Sequence, residues 1–142
     1  MKTSDMLEII LPRLNQTYAR EHIETELEYT EDILKVACLF PIGTFIRISN
    51  ARYNNGIFEI IDNIKGGHIK LDRALHAGKE TAVITPLNIP RGLLEIIKGM
   101  CEEVNNNLAA IKRGDTSISY DPELLYKRYS KLLGTYKRLK TI

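Results

Sequence analysis

The chain has 142 residues, 44% hydrophobic and 27% charged, which gives enough apolar mass for one modest core and excludes a disordered polymer. Its formal net charge of +2 falls short of the basic balance expected of a dedicated nucleic-acid-binding domain. No apolar run reaches the ~18 residues of a membrane-spanning helix.

The N-terminal stretch MKTSDMLEIILP has one lysine, then an acid, and no small-residue cleavage site, so it does not read as a signal peptide. Thr3 or Ser4 is placed to cap a first helix with Met6, Ile9 and Ile10 on its apolar face. Pro12 predicts a break or kink near Leu11, and Leu14 and Tyr18 continue a second helical piece. Residues 21–29, EHIETELEY, fit an alternating strand and a frayed helix equally well. From Thr30 the spacing of Ile33, Leu34, Ala37 and Cys38 predicts a helix that Pro41 and Gly43 end.

The period then changes from 3.6 to 2. Strands are predicted at Thr44–Ser49, Ile57–Asn63, His68–Asp72 and Thr81–Thr85, joined by an Asn54-Asn55-Gly56 turn, a Gly66-Gly67 hairpin and the loop HAGKE. Such a sheet cannot bury its apolar side alone. In Pro90–Arg113, Leu93, Ile97, Met100, Val104, Leu108 and Ile111 form one stripe at helical spacing, which predicts a single long helix. The extended segment GDTSISY follows, and Asp121-Pro122 starts a last helix as N-cap and N1. Its stripe of Tyr126, Tyr129, Leu132, Leu133, Tyr136 and Leu139 is surrounded by lysine and arginine, with Gly134 expected to interrupt it.

Charge is segregated along the chain. Residues 1–32 carry three basic and eight acidic groups, and residues 122–142 carry six basic and one acidic group. Opposite ends of this kind attract one another within a chain or between copies. Cys38 and Cys101 form no CxxC, which points to reduced thiols and a cytoplasmic setting. Catalysis has few candidates. His22, His68 and His76 have no partner at metal-ligand spacing. Gly78-Lys79 lacks the P-loop pattern, with Arg73 and Glu80 at the flanking positions. Asp62 and Asp72 sit where turn chemistry places aspartates. No enzyme, metal site or cofactor is expected.

Gly114, Asp115, Ser117, Ile118, Ser119 and Tyr120, followed by Leu133, Tyr136, Arg138 and Leu139, resemble the tailed-bacteriophage head–tail connector (adaptor or head-completion) family. The resemblance covers residues 90–142 and, more loosely, the first helix. It implies a structural virion neck protein with no catalytic activity, assembled in the host cytoplasm as a ring, typically of twelve copies, on the portal protein. The ring would extend the DNA channel, pass DNA without gripping it, and hold the next neck or tail component. By the same resemblance Ser117, Ile118, Ser119, Tyr120, Tyr126, Tyr129, Leu133, Tyr136, Arg138 and Leu139 form the partner-binding set. The strands of 43–85 depart from the mostly helical members.

The expected fold is α+β: N-terminal helices, a small four-stranded antiparallel sheet, one long central helix and a C-terminal amphipathic arm. Residues 1–120 form one domain and 121–142 a basic arm. The alternative function is a small β-barrel nucleic-acid-binding protein with a basic tail, using Tyr53 and Phe58 beside a turn. Phe45 and Phe58 serve equally well as core residues.

Overall fold

The computed structural model describes residues 1–38, 40–112 and 122–138. Its elements are α1 (Thr3–Arg13), β1 (Ile23–Thr30), β2 (Ile33–Lys35), β3 (Phe45–Ser49), β4 (Gly56–Ile64), β5 (His68–Leu71), β6 (Gly78–Leu87), α2 (Arg91–Lys112) and α3 (Pro122–Gly134). Contacts divide the chain into two units. Tyr18–Asn88 holds all six strands, and Met1–Thr17 with Ile89–Ile142 holds the three helices.

The strand unit is a closed barrel in the order β1-β2-β5-β4-β3-β6, and every neighbouring pair is antiparallel. This corrects the expected fold class: a closed six-stranded barrel with three helices replaces a four-stranded sheet arranged about one long helix. Two further strands close the wall, β1, which the sequence left undecided, and β2, which it placed in a helix. In β1, Leu27 and Tyr29 are buried while Glu24, Glu26, Glu28 and Thr30 are exposed, so the ambiguous stretch resolves at period 2. The predicted helix after Thr30 is absent. Leu34 and Val36 are buried and Lys35 and Ala37 exposed, an alternation too short to show in the sequence. Closure pairs edges that an open four-stranded sheet would leave bare. The barrel interior includes Leu27, Leu34, Ile46, Ile48, Ile60, Leu71 and Ile84, none of them more than 1% exposed.

The predicted strands at 44–49, 57–63 and 68–72 match β3, β4 and β5 closely. β6 is longer than expected and takes in Gly78–Glu80, which the sequence placed in a loop. The β4–β5 connection is a three-residue turn, Lys65–Gly67, because Ile64 pairs with His68. Gly66 and Gly67 supply the positive φ values it needs, +80° and +77°.

In the helical unit, α1 passes through Pro12 instead of breaking near Leu11. Proline costs an interior helix its N–H bond and a clash one turn back, but Pro12 lies in the last turn. Leu14 closes α1 with its N–H directed at the carbonyls of Ile10 and Leu11 (3.1 and 3.2 Å). The second helical piece is absent, since Asn15 and Tyr18 both take positive φ. Lys2, in place of Thr3 or Ser4, is the N-cap, and its N–H donates to the Asp5 carboxylate at 3.2 Å. α2 buries Leu93, Ile97, Met100, Cys101 and Val104. α3 buries Leu125 and Leu133 and ends on Gly134.

Candidate functional site

Because every neighbouring pair of strands is antiparallel, three connections lie at one end of the barrel: the β1–β2 turn, the 50–55 loop and the 72–77 loop. Their backbones are tied together. Leu71 N–H donates to Asp32 O (2.8 Å) and Leu75 N–H to Glu31 O (2.6 Å). The buried Asn54 side chain clamps His76, donating through Nδ2 to its carbonyl (2.9 Å) and accepting its N–H through Oδ1 (2.8 Å). Asn55 makes the same two-way bond to Ala51, at 2.9 Å in each direction. Glu80 accepts from the Arg52 N–H (3.0 Å) and from the Tyr29 hydroxyl (3.3 Å). Burial first, and then the Glu80 charge, push the Tyr29 phenol far above its ordinary value, so it stays a neutral donor.

On this frame stands Tyr53, 61% exposed. The Arg52 guanidinium lies 5.1 Å from its ring centroid, and the His76 ring lies 5.4 Å away at a tilt of 40°. A preorganised aromatic face flanked by a guanidinium and an imidazole can stack on or insert into a partner. Of the aromatic residues the sequence singled out here, only Tyr53 is accessible. Phe45 and Phe58 are buried, and Phe58 lies under the Arg73 guanidinium at 4.3 Å.

The barrel wall has two further features. Glu24, Glu26 and Glu28 line the outer face of β1, with Lys79 paired to Glu26 at 2.7 Å. At the β4 bulge, where the register shifts between Ile60 and Asp62, Ile61 is 44% exposed. Ile64 (46%) and Ile42 (60%) belong to the same end of the barrel. There Gly43 N–H donates to Ile60 O (2.8 Å), and Asn63 Nδ2 donates to Phe40 O (3.2 Å).

Of the partner-binding set read from the sequence, Ser117, Ile118, Ser119, Tyr120 and Leu139 lie outside the described residues. The other five lie within the helical unit. Tyr126 sits under the Arg13 guanidinium at 4.7 Å. Tyr129 donates to Glu103 at 3.0 Å, and burial first and then that carboxylate push its phenol up. Arg128 pairs with the same Glu103. Leu133 is fully buried. The Tyr136 carbonyl accepts from Gln16 Nε2 (3.0 Å), and its hydroxyl lies against Gly92, where an added Cβ would displace it. Arg138 is exposed, while its N–H donates to Leu14 O at 2.8 Å.

The large apolar residues that α3 leaves exposed are Leu124 (56%) and Leu132 (55%); neither belongs to the expected partner-binding set, although Leu132 stands in the predicted stripe. The signal was present. Leu124-Leu125 and Leu132-Leu133 are two leucine pairs eight residues apart, and a helix turns ~100° per residue, so one member of each pair must face away from the core.

The histidines have ordinary partners: His22 meets Thr85 Oγ1 (2.8 Å) and His68 meets Lys65 O (3.1 Å). Cys101 is buried, and burial pushes its thiol up; Cys38 is half-buried. Among the described residues, no three His, Cys, Asp or Glu side chains gather to hold a metal, and no helix is long and apolar enough to cross a membrane. No protein-family model, no curated protein and no solved structure matches this chain.

Proposed function

We propose that this chain is a structural assembly subunit of the head–tail connector type. It docks as a ring on a portal protein, continues the DNA channel, and offers its barrel to the next neck or tail component. The observation that supports this reading is the exposure of aliphatic side chains: Ile61 and Ile64 on β4, Ile42 in the β2–β3 connection, and Leu124 and Leu132 on α3. Leucine and isoleucine left facing solvent on folded elements suit protein contacts and offer nothing to a phosphate backbone. The three glutamates on β1 add repulsion toward phosphate.

On this reading Leu124 and Leu132 face the portal, with Arg138 and Lys131 pairing with its carboxylates. The buried Leu125 and Leu133 hold α3 in place. The isoleucines of the barrel meet a neighbouring copy or the next component through a heterologous contact.

The test is co-sedimentation of the purified chain with assembled portal. Wild type pellets with the portal, and Leu132→Asp reduces the bound fraction at least roughly tenfold while its circular dichroism is unchanged. Absence of co-sedimentation at any ratio would overturn the reading.

The Arg52–Tyr53–His76 cluster favours a second reading, the small β-barrel nucleic-acid binder. That reading requires a mobility shift with single-stranded DNA that weakens steeply with salt and is lost in Tyr53→Ala. An unshifted probe at low salt rules it out.

A further inference from the structure

The barrel wall is not paired along its full height. β1 pairs with β6 over Ile23–Tyr29. On its other edge it meets β2 only over Glu28–Thr30, because β2 has three residues. From Ile23 to Leu27 that edge has no strand beside it among the described residues. The chain after β2 turns instead to the β4–β5 connection, where Val36 N–H donates to Gly67 O at 3.0 Å. The gap is a cavity of about 590 Å³ lined by Thr25, Glu26, Val36, Ala37, Gly66 and Gly67.

A strand with one open edge directs alternate N–H and C=O groups into the gap, a template for another strand. We propose that this seam is a strand-addition site. It takes one extended segment of a partner protein, hydrogen-bonded to Ile23–Leu27, with lysine or arginine at every second position. Main-chain bonds would supply the attachment, and alternating side chains the selectivity.

The charge pattern of β1 chooses the partner. An added strand places its outward side chains next to Glu24 and Glu26, with Glu28 just beyond its end. Lys79 meets Glu26, and Lys35 stands opposite Glu28, so three carboxylates face two ammonium groups. Glu24 stands opposite Val83, which brings it no cation from β6. On the inward side, the two glycines and Val36 leave room for small apolar side chains of about valine size. An acidic segment meets the same glutamates with repulsion.

Three synthetic peptides test this on the full chain. One alternates lysine with valine. One carries glutamate for lysine. One is the lysine–valine peptide N-methylated along a single edge, so that it cannot donate there. The lysine–valine peptide is expected to slow amide exchange within Ile23–Leu27 and to leave the amides of residues 50–55 unchanged. The glutamate peptide should bind at least roughly tenfold more weakly, and the N-methylated peptide should not bind. Glu24→Lys, which leaves the Glu26–Lys79 pair intact, should weaken the lysine–valine peptide several-fold. Equal binding of the N-methylated peptide, protection confined to another surface, or no binding by the lysine–valine peptide at millimolar concentration would each overturn the proposal. None of these outcomes bears on portal co-sedimentation, so the two readings fail separately.

Discussion

Leu132 and Leu133 are neighbours in sequence and opposites in environment: one is 55% exposed and the other fully buried. Removing the buried side chain leaves a cavity, so Leu133→Ala should cost about 2–5 kcal/mol in denaturant unfolding. Leu132→Ala should stay within about 0.5 kcal/mol. The two cysteines separate in the same way. Cys38 is half-buried, whereas Cys101 is buried with a thiol pushed up by burial. Native protein titrated with a thiol reagent should therefore show one fast and one slow reaction, and Cys38→Ser should remove the fast one. A single fast phase carrying both thiols would contradict this placement. At this scale the sequence told which residues are apolar but not which tyrosines are engaged. Tyr126 and Tyr129 read as free anchors until Arg13 and Glu103, over a hundred and 26 residues away respectively, were seen beside them.

Among the elements, β3, β4 and β5 were legible because each is bounded by turn residues and alternates over several positions. β2 was not, since three residues cannot establish a period, and Ile33, Leu34, Ala37 and Cys38 imitate a helix face. β1 was undecided because its glutamates suit a solvated helix as well as an outward strand face. The Lys65–Gly67 turn depends on backbone more than on side chains. Gly67 takes φ +77°, and an added Cβ would lie 3.0 Å from Val36 O. Gly67→Ala should cost at least ~1–2 kcal/mol, read as a lowered melting temperature, and Gly66→Ala somewhat less because only the His68 ring adjoins it. An unchanged melting temperature in both would show that the turn adopts another conformation.

For the whole molecule, stability should fall in alkali. The folded Tyr29 phenol is held far above the ordinary value of 10 by burial and by Glu80. An unfolded tyrosine loses its proton near pH 10 while the folded one keeps it. The unfolded state then binds fewer protons, so the contribution of Tyr29 to stability is constant below about pH 10 and declines above it. Tyr29→Phe should flatten that decline in urea unfolding measured across alkaline pH; an identical pH profile in the variant would assign the decline elsewhere. The helical unit also decides how its C-terminal helix can be tested. Deleting residues 122–142 removes Leu125 and Leu133 from a packed core, so lost portal binding would report unfolding as readily as docking. Leu132→Asp separates the two.

The sequence by itself determined the local features: the long amphipathic α2, four strands including the middle of β6, and the absence of any apolar run long enough for a membrane helix. Periodicity and turn chemistry are properties of neighbouring residues, and they survive without a fold. Tertiary structure decided the rest. Whether four strands or six make the sheet depends on which edges find partners, and β1 and β2 become strands only because β5 and β6 lie beside them. The open edge of β1 arises because β2 stops after three residues and the chain then turns to Gly67, a contact between residues far apart in sequence that no local window contains.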